Sequence, residues 1–479
     1  MQITVFRLRS WQKSMRFKDL SNLSVAILGL GREGQAVWRQ IRKRFPEKTI
    51  HLFAETAGDD GFAEMLDPQC DHYHIGPLEV EQLKQFDLLV RSAGISPYRV
   101  ELQQLRNGGV RFTTANSLWF AENPQAKTIC ISGTKGKSTT AALISHLLNR
   151  AGVKACLCGN IGRPMLDCEG ESVDWWVIEL SSYQLSDLEA EPDIALLLNL
   201  SDEHIDWHGG AGQYRKDKLK LAEMAGNSCL IANFSDPVLH EYLADFKDIK
   251  WFNGVGAWQA GEDSVSDRRR RSGFDEAATT RVSAPASLPG EHNMQNLAAA
   301  LTVIDELGLG IPDLDDALAS FSGLPHRLQT IGYRDGIRFV DDSISTTPVS
   351  VEVALNTMGA GATVLLLGGL DRGLDWNGFS EDLARNLVEQ RPVAIITMPE
   401  NGPKILASLE RSGVELTAGL HAVENLLQAV ALAQTLVPEK GCILLSPGAP
   451  SFPHFRDFED RGDQFASFAG FKNLAGIEK

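Results

Sequence analysis

Two glycine-rich turns, each wedged between a short apolar run and a helix-forming stretch, restrict the fold of this 479-residue chain more than any other feature. Val25-Ala-Ile-Leu leads into Gly29-Leu-Gly31-Arg-Glu-Gly34 and then a helical stretch to about Arg44. Thr128–Ile131 leads into Ser132-Gly-Thr-Lys-Gly-Lys-Ser138-Thr139 and a helix from about Lys137 through Leu148. Strands that alternate with helices in this way belong in a parallel sheet whose crossovers are helical. Further short apolar runs read as buried strands of the same kind. They fall at Thr49–Ala54 and Phe86–Val90, at Trp175–Leu180, Ile194–Asn199 and Ser228–Ala232, and at Ile337–Val340, Val364–Leu367, Val393–Thr397 and Cys442–Leu445. The expected fold class is α/β in three domains, residues 1–124, 125–322 and 323–479. Asn123-Pro124 is the first linker, and Gly323-Leu-Pro opens the last domain. The outer two domains read as Rossmann-like and the central one as a P-loop ATPase type with a parallel sheet.

The net charge of −16 points away from a nucleic-acid or membrane-surface binder, which would need a broad basic face. The seven cysteines are scattered and mostly lie inside apolar runs, as core thiols of a reducing compartment do. Cys156 and Cys158 stand too close together for a typical metal pair. No continuous apolar span of about 18 residues occurs, and basic residues interrupt the N-terminal stretch, so a cytoplasmic protein with no membrane insertion is expected. The charged segment Gly261–Arg281, with arginines at 268–271, reads as a solvated surface insertion.

Gly29-x-Gly31-x-x-Gly34 after a strand, with Glu55 about 20 residues on, meets the pattern of a dinucleotide site. The glycines permit a tight turn and close phosphate approach, and the helix start faces the pyrophosphate. An NAD-dependent oxidoreductase fits this loop taken alone, and a UDP-sugar presents the same diphosphate. The second loop departs from G-x-x-x-x-G-K-[ST] because Ile131 stands at the first glycine position. Its backbone N–H groups still form an anion cradle, Lys137 supplies a point charge, and the Ser138 hydroxyl suits Mg²⁺.

That departure, together with an ordered set of motifs, resembles the Mur ligases and folylpolyglutamate synthases. After the loop come Gly159-Asn160-Ile-Gly162, Glu179-Leu-Ser-Ser-Tyr-Gln184 and Asn199-Leu-Ser-Asp-Glu-His204-Ile-Asp206. Gln213-Tyr-Arg-Lys-Asp-Lys218, Leu288-Pro-Gly-Glu-His-Asn293-Met-Gln-Asn296 and Leu324-Pro-His-Arg327 follow. The resemblance implies ATP bound by Ser132, Gly133, Thr134, Lys135, Gly136, Lys137, Ser138 and Thr139, with Asn293, Asn296, Arg327 and Asp342. It implies Mg²⁺ held by Ser138, Glu179, His204 and Lys218, the last as a carbamate, and a catalytic set of Lys137, Glu179, His204 and Lys218. Read blindly, Glu179 is also a strand-end acid, His204 a polar loop residue and Lys218 a solvated helix lysine. The first domain is expected to hold a UDP precursor through Gly29, Gly31, Arg32, Glu33, Gly34, Ser92 and Asn160.

The last third carries Asp341-Asp342-Ser343-Ile344-Ser-Thr346-Thr347-Pro348, Gly368-Gly-Leu-Asp-Arg372 and Ser446-Pro-Gly-Ala-Pro-Ser451-Phe452, followed by Phe458-Glu-Asp-Arg461-Gly462. These resemble the glutamate-adding Mur ligases, with Thr346, Arg372, Ser451, Phe452 and Phe458 where glutamate is held. A guanidinium and a hydroxyl suit a carboxylate, although Arg372 also reads as a surface charge. Ile344 replaces the lysine of the D-glutamate-adding pattern. With Leu118-Trp-Phe-Ala-Glu122 and His204-Ile-Asp-Trp-His-Gly209, this resembles a branch that attaches L-glutamate and leaves inversion to a separate epimerase. The implied reaction is ATP-dependent ligation of glutamate to UDP-N-acetylmuramoyl-L-alanine through an acyl phosphate, the alternative being the same reaction with D-glutamate.

Overall fold

The computed structural model describes residues 15–56, 61–203, 205–267, 281–283, 285, 287–288, 290–358, 361–385, 387–388 and 390–471. The chain divides into two compact units, Met1–Pro285 with Glu291–Phe321, and Ala286–Gly290 with Ser322–Lys479.

The first unit contains two parallel sheets. Strands β1 (Val25–Leu28), β2 (Ile50–Ala54), β3 (Asp71–Ile75), β4 (Leu88–Arg91) and β5 (Arg111–Thr114) pair in the order β3-β2-β1-β4-β5. Strands β6 (Thr128–Ser132), β7 (Ala155–Gly159), β8 (Trp175–Glu179), β9 (Ile194–Leu197), β10 (Cys229–Asn233) and β11 (Lys250–Phe252) pair as β11-β10-β9-β6-β8-β7. Both glycine turns follow the strand where the order reverses, β1 in one sheet and β6 in the other. An open α/β sheet leaves its crevice at that point, beyond the carboxyl ends of the strands.

One apolar core serves both sheets. It joins Val37 and Ile41 of helix Arg32–Arg44, Trp119 of helix Ala115–Glu122, and Met165, Leu166 and Ile178 from the central sheet and its connections. The Trp119 and Trp176 rings meet edge-on, with centroids 5.0 Å apart. Polar ties cross the same seam. The buried Arg91 guanidinium donates to Asp187 at 2.6 and 2.9 Å, and Arg39 donates to Asp167 at 2.7 and 3.1 Å.

The segment Gly261–Arg281 is not solvated throughout as expected, because Ser264, Val265 and Asp267 are buried where their strand packs into the fold. Strands β12 (Trp258–Ala260), β13 (Ser264–Asp267) and β14 (Arg281–Ser283) form a small antiparallel sheet against helix Glu291–Glu306. The arginines at 268–271 lie outside the described residues.

In the second unit β15 (Gln329–Arg334), β16 (Ile337–Asp341), β17 (Thr363–Gly368), β18 (Ala394–Met398), β19 (Leu420–Ala422) and β20 (Cys442–Leu445) pair as β15-β16-β20-β17-β18-β19. Only β15 runs antiparallel. Among the described residues, no helix is long and apolar enough to cross a membrane.

Candidate active site

The phosphate loop is shaped by its glycines. Gly136 has φ +83° and opens helix Lys137–Arg150, and a Cβ there would collide with Asn296 Oδ1. A Cβ on Gly133, at φ +156°, would press on Leu198 Cβ at 2.9 Å. Asn199, just past β9, holds the loop closed. Its Oδ1 accepts from Thr134 N at 3.0 Å and Lys135 N at 2.8 Å. Those two N–H groups are therefore spent on the protein. An anion falls instead to the N–H groups of the first helical turn, which have no partner inside the helix. Lys137 Nζ donates to Thr134 O at 2.8 Å, and Ser132 Oγ to Leu180 O at 2.8 Å. Ser138 and Thr139 begin the helix.

Glu179 ends β8, the strand beside the loop strand, and is 1% exposed. Asn160 Nδ2 donates to its Oε1 at 2.8 Å, while its buried Oε2 has no partner among the described residues. An orphaned buried carboxylate oxygen costs free energy unless a cation or donor meets it. Lys218 lies on helix Ala211–Ala225, is 3% exposed, and donates to Gly133 O. Burial, followed by the charge of Lys137, pushes its amine well below the usual lysine range. His204 lies outside the described residues.

A set of groups beneath Lys218 escapes motif reading. Buried His208 sits between Asp217 Oδ2, at 2.6 Å from Nδ1, and Ser182 Oγ, at 3.0 Å from Nε2. Tyr98 OH, from the first sheet's side, donates to Asp217 at 2.6 Å, and Gln213 Nε2 donates to both Tyr98 OH and Asp217. The run His-Gly-Gly-x-x-Gln-Tyr-x-x-Asp from His208 to Asp217 was the available signal, because it places acid and imidazole on adjoining turns.

The first glycine turn is equally constrained. A Cβ on Gly34 would collide with Gly29 O, and Ser92 Oγ donates to that oxygen at 2.6 Å. Arg32 Nη1 donates to Gly162 O at 3.0 Å, while Glu33 accepts from Gln184 Nε2 at 2.7 Å. Two hollows meet at Gly31. One, about 310 Å³, runs beside Gly29, Glu55 and Tyr73. The other, about 220 Å³, runs past Arg32, Ser92, Asn160 and Tyr183 toward the Glu179 side. Glu55 is paired with Arg99 at 2.9 Å, so the acid that a nicotinamide dinucleotide would use is engaged. A third hollow, about 60 Å³, lies between Lys135, Gly136, Phe252 and Asn296. Asn293 and Asn296 are buried and hydrogen-bonded to each other at 3.1 Å.

In the second unit the loops after three adjacent strands, β16, β20 and β17, gather at one end of the sheet. Asp342 accepts from Ser446 Oγ at 2.8 Å and Leu328 N at 3.2 Å, and burial pushes its carboxyl up to about 7. Leu370 N donates to Pro450 O at 2.9 Å, which docks the Arg372 loop on the Ser451 loop. Arg372 and Phe452 are exposed, Ser451 is buried, Thr346 is half-buried, and Phe458 lies edge-on to His326 with centroids 6.0 Å apart. Arg327 is half-buried near Asp342, whose ionised carboxylate its charge favours against the opposing effect of burial. Sequence reasoning missed the role of fully buried Arg461, which donates to Ser343 Oγ at 3.0 Å and Ser343 O at 2.7 Å. It fixes the turn that carries Ile344 and Thr346.

A phosphate loop with a buried acid and lysine beside it, sharing a core with a second diphosphate-type turn, defines a nucleotide-binding α/β enzyme. Residues 131–304 match the family model described as Mur ligase middle domain. Over 451 residues the chain is 41% identical to the UDP-N-acetylmuramoyl-L-alanine--L-glutamate ligase of Xanthomonas euvesicatoria pv. vesicatoria (strain 85-10), covering 91% of this chain and 93% of that relative. The ligase of the same name from Salinispora tropica is 35% identical over 454 residues, covering 91% and 95%. The chain belongs to the Mur ligase family, as a MurD-like member. The fold agrees. MurC of Thermotoga maritima, 17% identical, superposes with a TM-score of 0.57 over 93% of this chain and 98% of its own. MurF of Thermotoga maritima, solved with ADP and 14% identical, gives 0.56 over 95% and 97%.

Proposed function

We propose that this chain is an ATP-dependent, Mg²⁺-requiring ligase of peptidoglycan synthesis that joins L-glutamate to UDP-N-acetylmuramoyl-L-alanine. The observation that carries the reading is the pair of buried groups beside the phosphate loop, Glu179 with its unpartnered Oε2 and Lys218 with its disfavoured charge. An oxygen-rich pocket of this kind suits Mg²⁺, which Glu179, Ser138, His204 and Lys218 would hold. When bound, the ion would neutralise charge on the transferring phosphate.

The alanyl carboxylate oxygen attacks the γ-phosphorus of ATP, ADP departs, and an acyl phosphate forms. The glutamate amine then attacks the acyl carbon, inorganic phosphate leaves with the C–O electrons, and the amine gives up a proton. Negative charge grows on oxygen in both steps, so positioning and electrostatics suffice. Lys137 and the first-turn N–H groups face the phosphates, and Asn293 and Asn296 the adenine side. The UDP precursor lies across Gly31, its uridine in the hollow beside Glu55 and its sugar in the hollow beside Asn160. Arg327 and Asp342 serve the nucleotide, while Thr346, Arg372, Ser451, Phe452 and Phe458 hold glutamate.

Lys218 acts as a carbamate. CO₂ adds only to a neutral amine, and burial favours the neutral amine here. The L-configuration is supported by Ile344-Ser-Thr-Thr-Pro348 and by the L-glutamate named in the relatives' activity. An L-glutamyl product calls for a later epimerisation. ADP release measured with UDP-N-acetylmuramoyl-L-alanine and each glutamate enantiomer tests the proposal. L-Glutamate is expected to be the substrate. Preference for D-glutamate would restore the D-adding reaction, and no ADP with either would refute the ligase itself.

A further inference from the structure

We propose that Cys156, Cys168 and Glu171 form a binding site for a thiophilic divalent cation of the zinc class, apart from both phosphate loops. Three pieces of chain meet there. Cys156 stands on β7, the edge strand of the central sheet. Cys168 closes the short turn Met165–Cys168, and Glu171 follows, its N–H donating back to Cys168 O at 3.3 Å. The two sulfurs and a Glu171 carboxylate oxygen all lie within 4.8 Å of one another. A tetrahedral zinc, with Zn–S about 2.3 Å and Zn–O about 2.1 Å, holds its donors roughly 3.5–3.8 Å apart. The three donors would therefore draw in by at most about 1.3 Å to share one ion.

The donor chemistry selects the metal. Two sulfurs and one oxygen suit zinc or another borderline-soft ion, whereas Mg²⁺ prefers oxygen alone. Cys158 projects to the same face as Cys156, since side chains two apart on a strand share a face. Cys158 lies outside the set of three, so the fourth position of a tetrahedral ion falls to a solvent molecule. Arg163 pairs with Glu171 and supplies the present counter-charge. Cys156 and Cys168 are buried, while Glu171 is exposed, which gives the ion a route in from solvent. Apolar packing accounts for the thiols alone. It does not account for the carboxylate of exposed Glu171 standing within 4.8 Å of both sulfurs.

The place matters because β7 runs directly into Asn160, whose side chain holds Glu179 Oε1 at 2.8 Å. The turn before Cys168 receives Gln40 of helix Arg32–Arg44 at Leu166 O, 2.7 Å. An ion here would pin Asn160 and the helix behind the first glycine turn in one relation. It would be a structural staple that touches no substrate.

The test uses the full chain, reduced, stripped with a chelator and titrated with Co²⁺. One equivalent is expected to bind with a thiolate-to-cobalt charge-transfer band, and Zn²⁺ should displace it. C156S and C168S should each lose the band, and C229S should leave it unchanged. E171Q should lose more than the roughly tenfold in affinity that removal of an outer partner costs. Thermal melts of the metal-free variants, matched to the wild type, keep misfolding from mimicking the result. A wild-type chain with all thiols reduced that shows no band overturns the site, as does a band that survives in C156S or C168S.

Discussion

Lys218 and Asp342 are both charged residues in surroundings that disfavour charge, and each leads to a different measurement. If Lys218 serves as a carbamate, the needed group is an anion. Lys218→Ala should therefore lose most turnover, and Lys218→Arg should fail to restore it, because guanidinium cannot take up CO₂ and stays cationic. Steady-state ADP release decides this, and near wild-type turnover in Lys218→Arg would remove the carbamate. Asp342 has its carboxyl raised from an ordinary 3.8 to about 7 by burial. The folded state thus holds a proton that the unfolded chain releases earlier. Its contribution favours folding below about pH 4 and is lost as pH rises through about 7. Asp342→Asn should remove that loss, so the variant gains stability relative to wild type as pH goes from 4 to 8. Urea unfolding at several pH values checks the sign. Neither environment is legible in the sequence, because burial of Lys218 depends on Gly133 and Lys137 far away in the chain.

At the scale of elements, the turn from Asp342 to Pro348 sets the stereochemical question. Its backbone is held by Arg461 through Ser343 and by Thr347, which caps helix Pro348–Thr357 and accepts from Ser350 N at 3.2 Å. Enantiomers of glutamate carry the same charges, so a site separates them only by where it fixes the carboxylates relative to the attacking amine. Replacing Ile344-Ser-Thr-Thr with Lys-Ala-Thr-Asn should therefore lower the L-over-D ratio of kcat/KM. Competition kinetics that leave the ratio unchanged would place selectivity elsewhere.

The strands show what the sequence can tell at this scale. Apolar runs reveal the interior strands of the three large sheets, including β1, β6, β8, β17 and β20. The edges β3, β5, β7, β11, β15 and β19 go unread. An edge strand is open on one side and carries polar residues, as Asp-His-Tyr-His-Ile of β3 does, so the buried-run signal fades. The two glycine turns were legible because positive φ and close approach demand glycine there. Asn199, His208, Asp217 and Arg461 were not, because their importance is tertiary.

Over the whole molecule, three large sheets make two compact units, since the first and central sheets share one core. A fragment ending at residue 124 would expose Trp119, Val37 and Ile41, which are buried in that shared core. It is expected to aggregate or melt without cooperativity. Residues 322–479 carry two core clusters of their own and should unfold cooperatively when expressed alone. Circular dichroism melts of the two fragments test the contrast. A stable fragment of residues 1–124 would contradict it.

The shared core also matters to a chemist designing ligands. The glycine turn at Gly31 and the loop at Gly136 are tied to one packed body, so the span between them does not depend on hinge motion. Two weak fragments, one seated beside Asn160 and one at the start of helix Lys137–Arg150, could be tethered at a set length. The second fragment would then bind at the high local concentration that a well-matched tether provides.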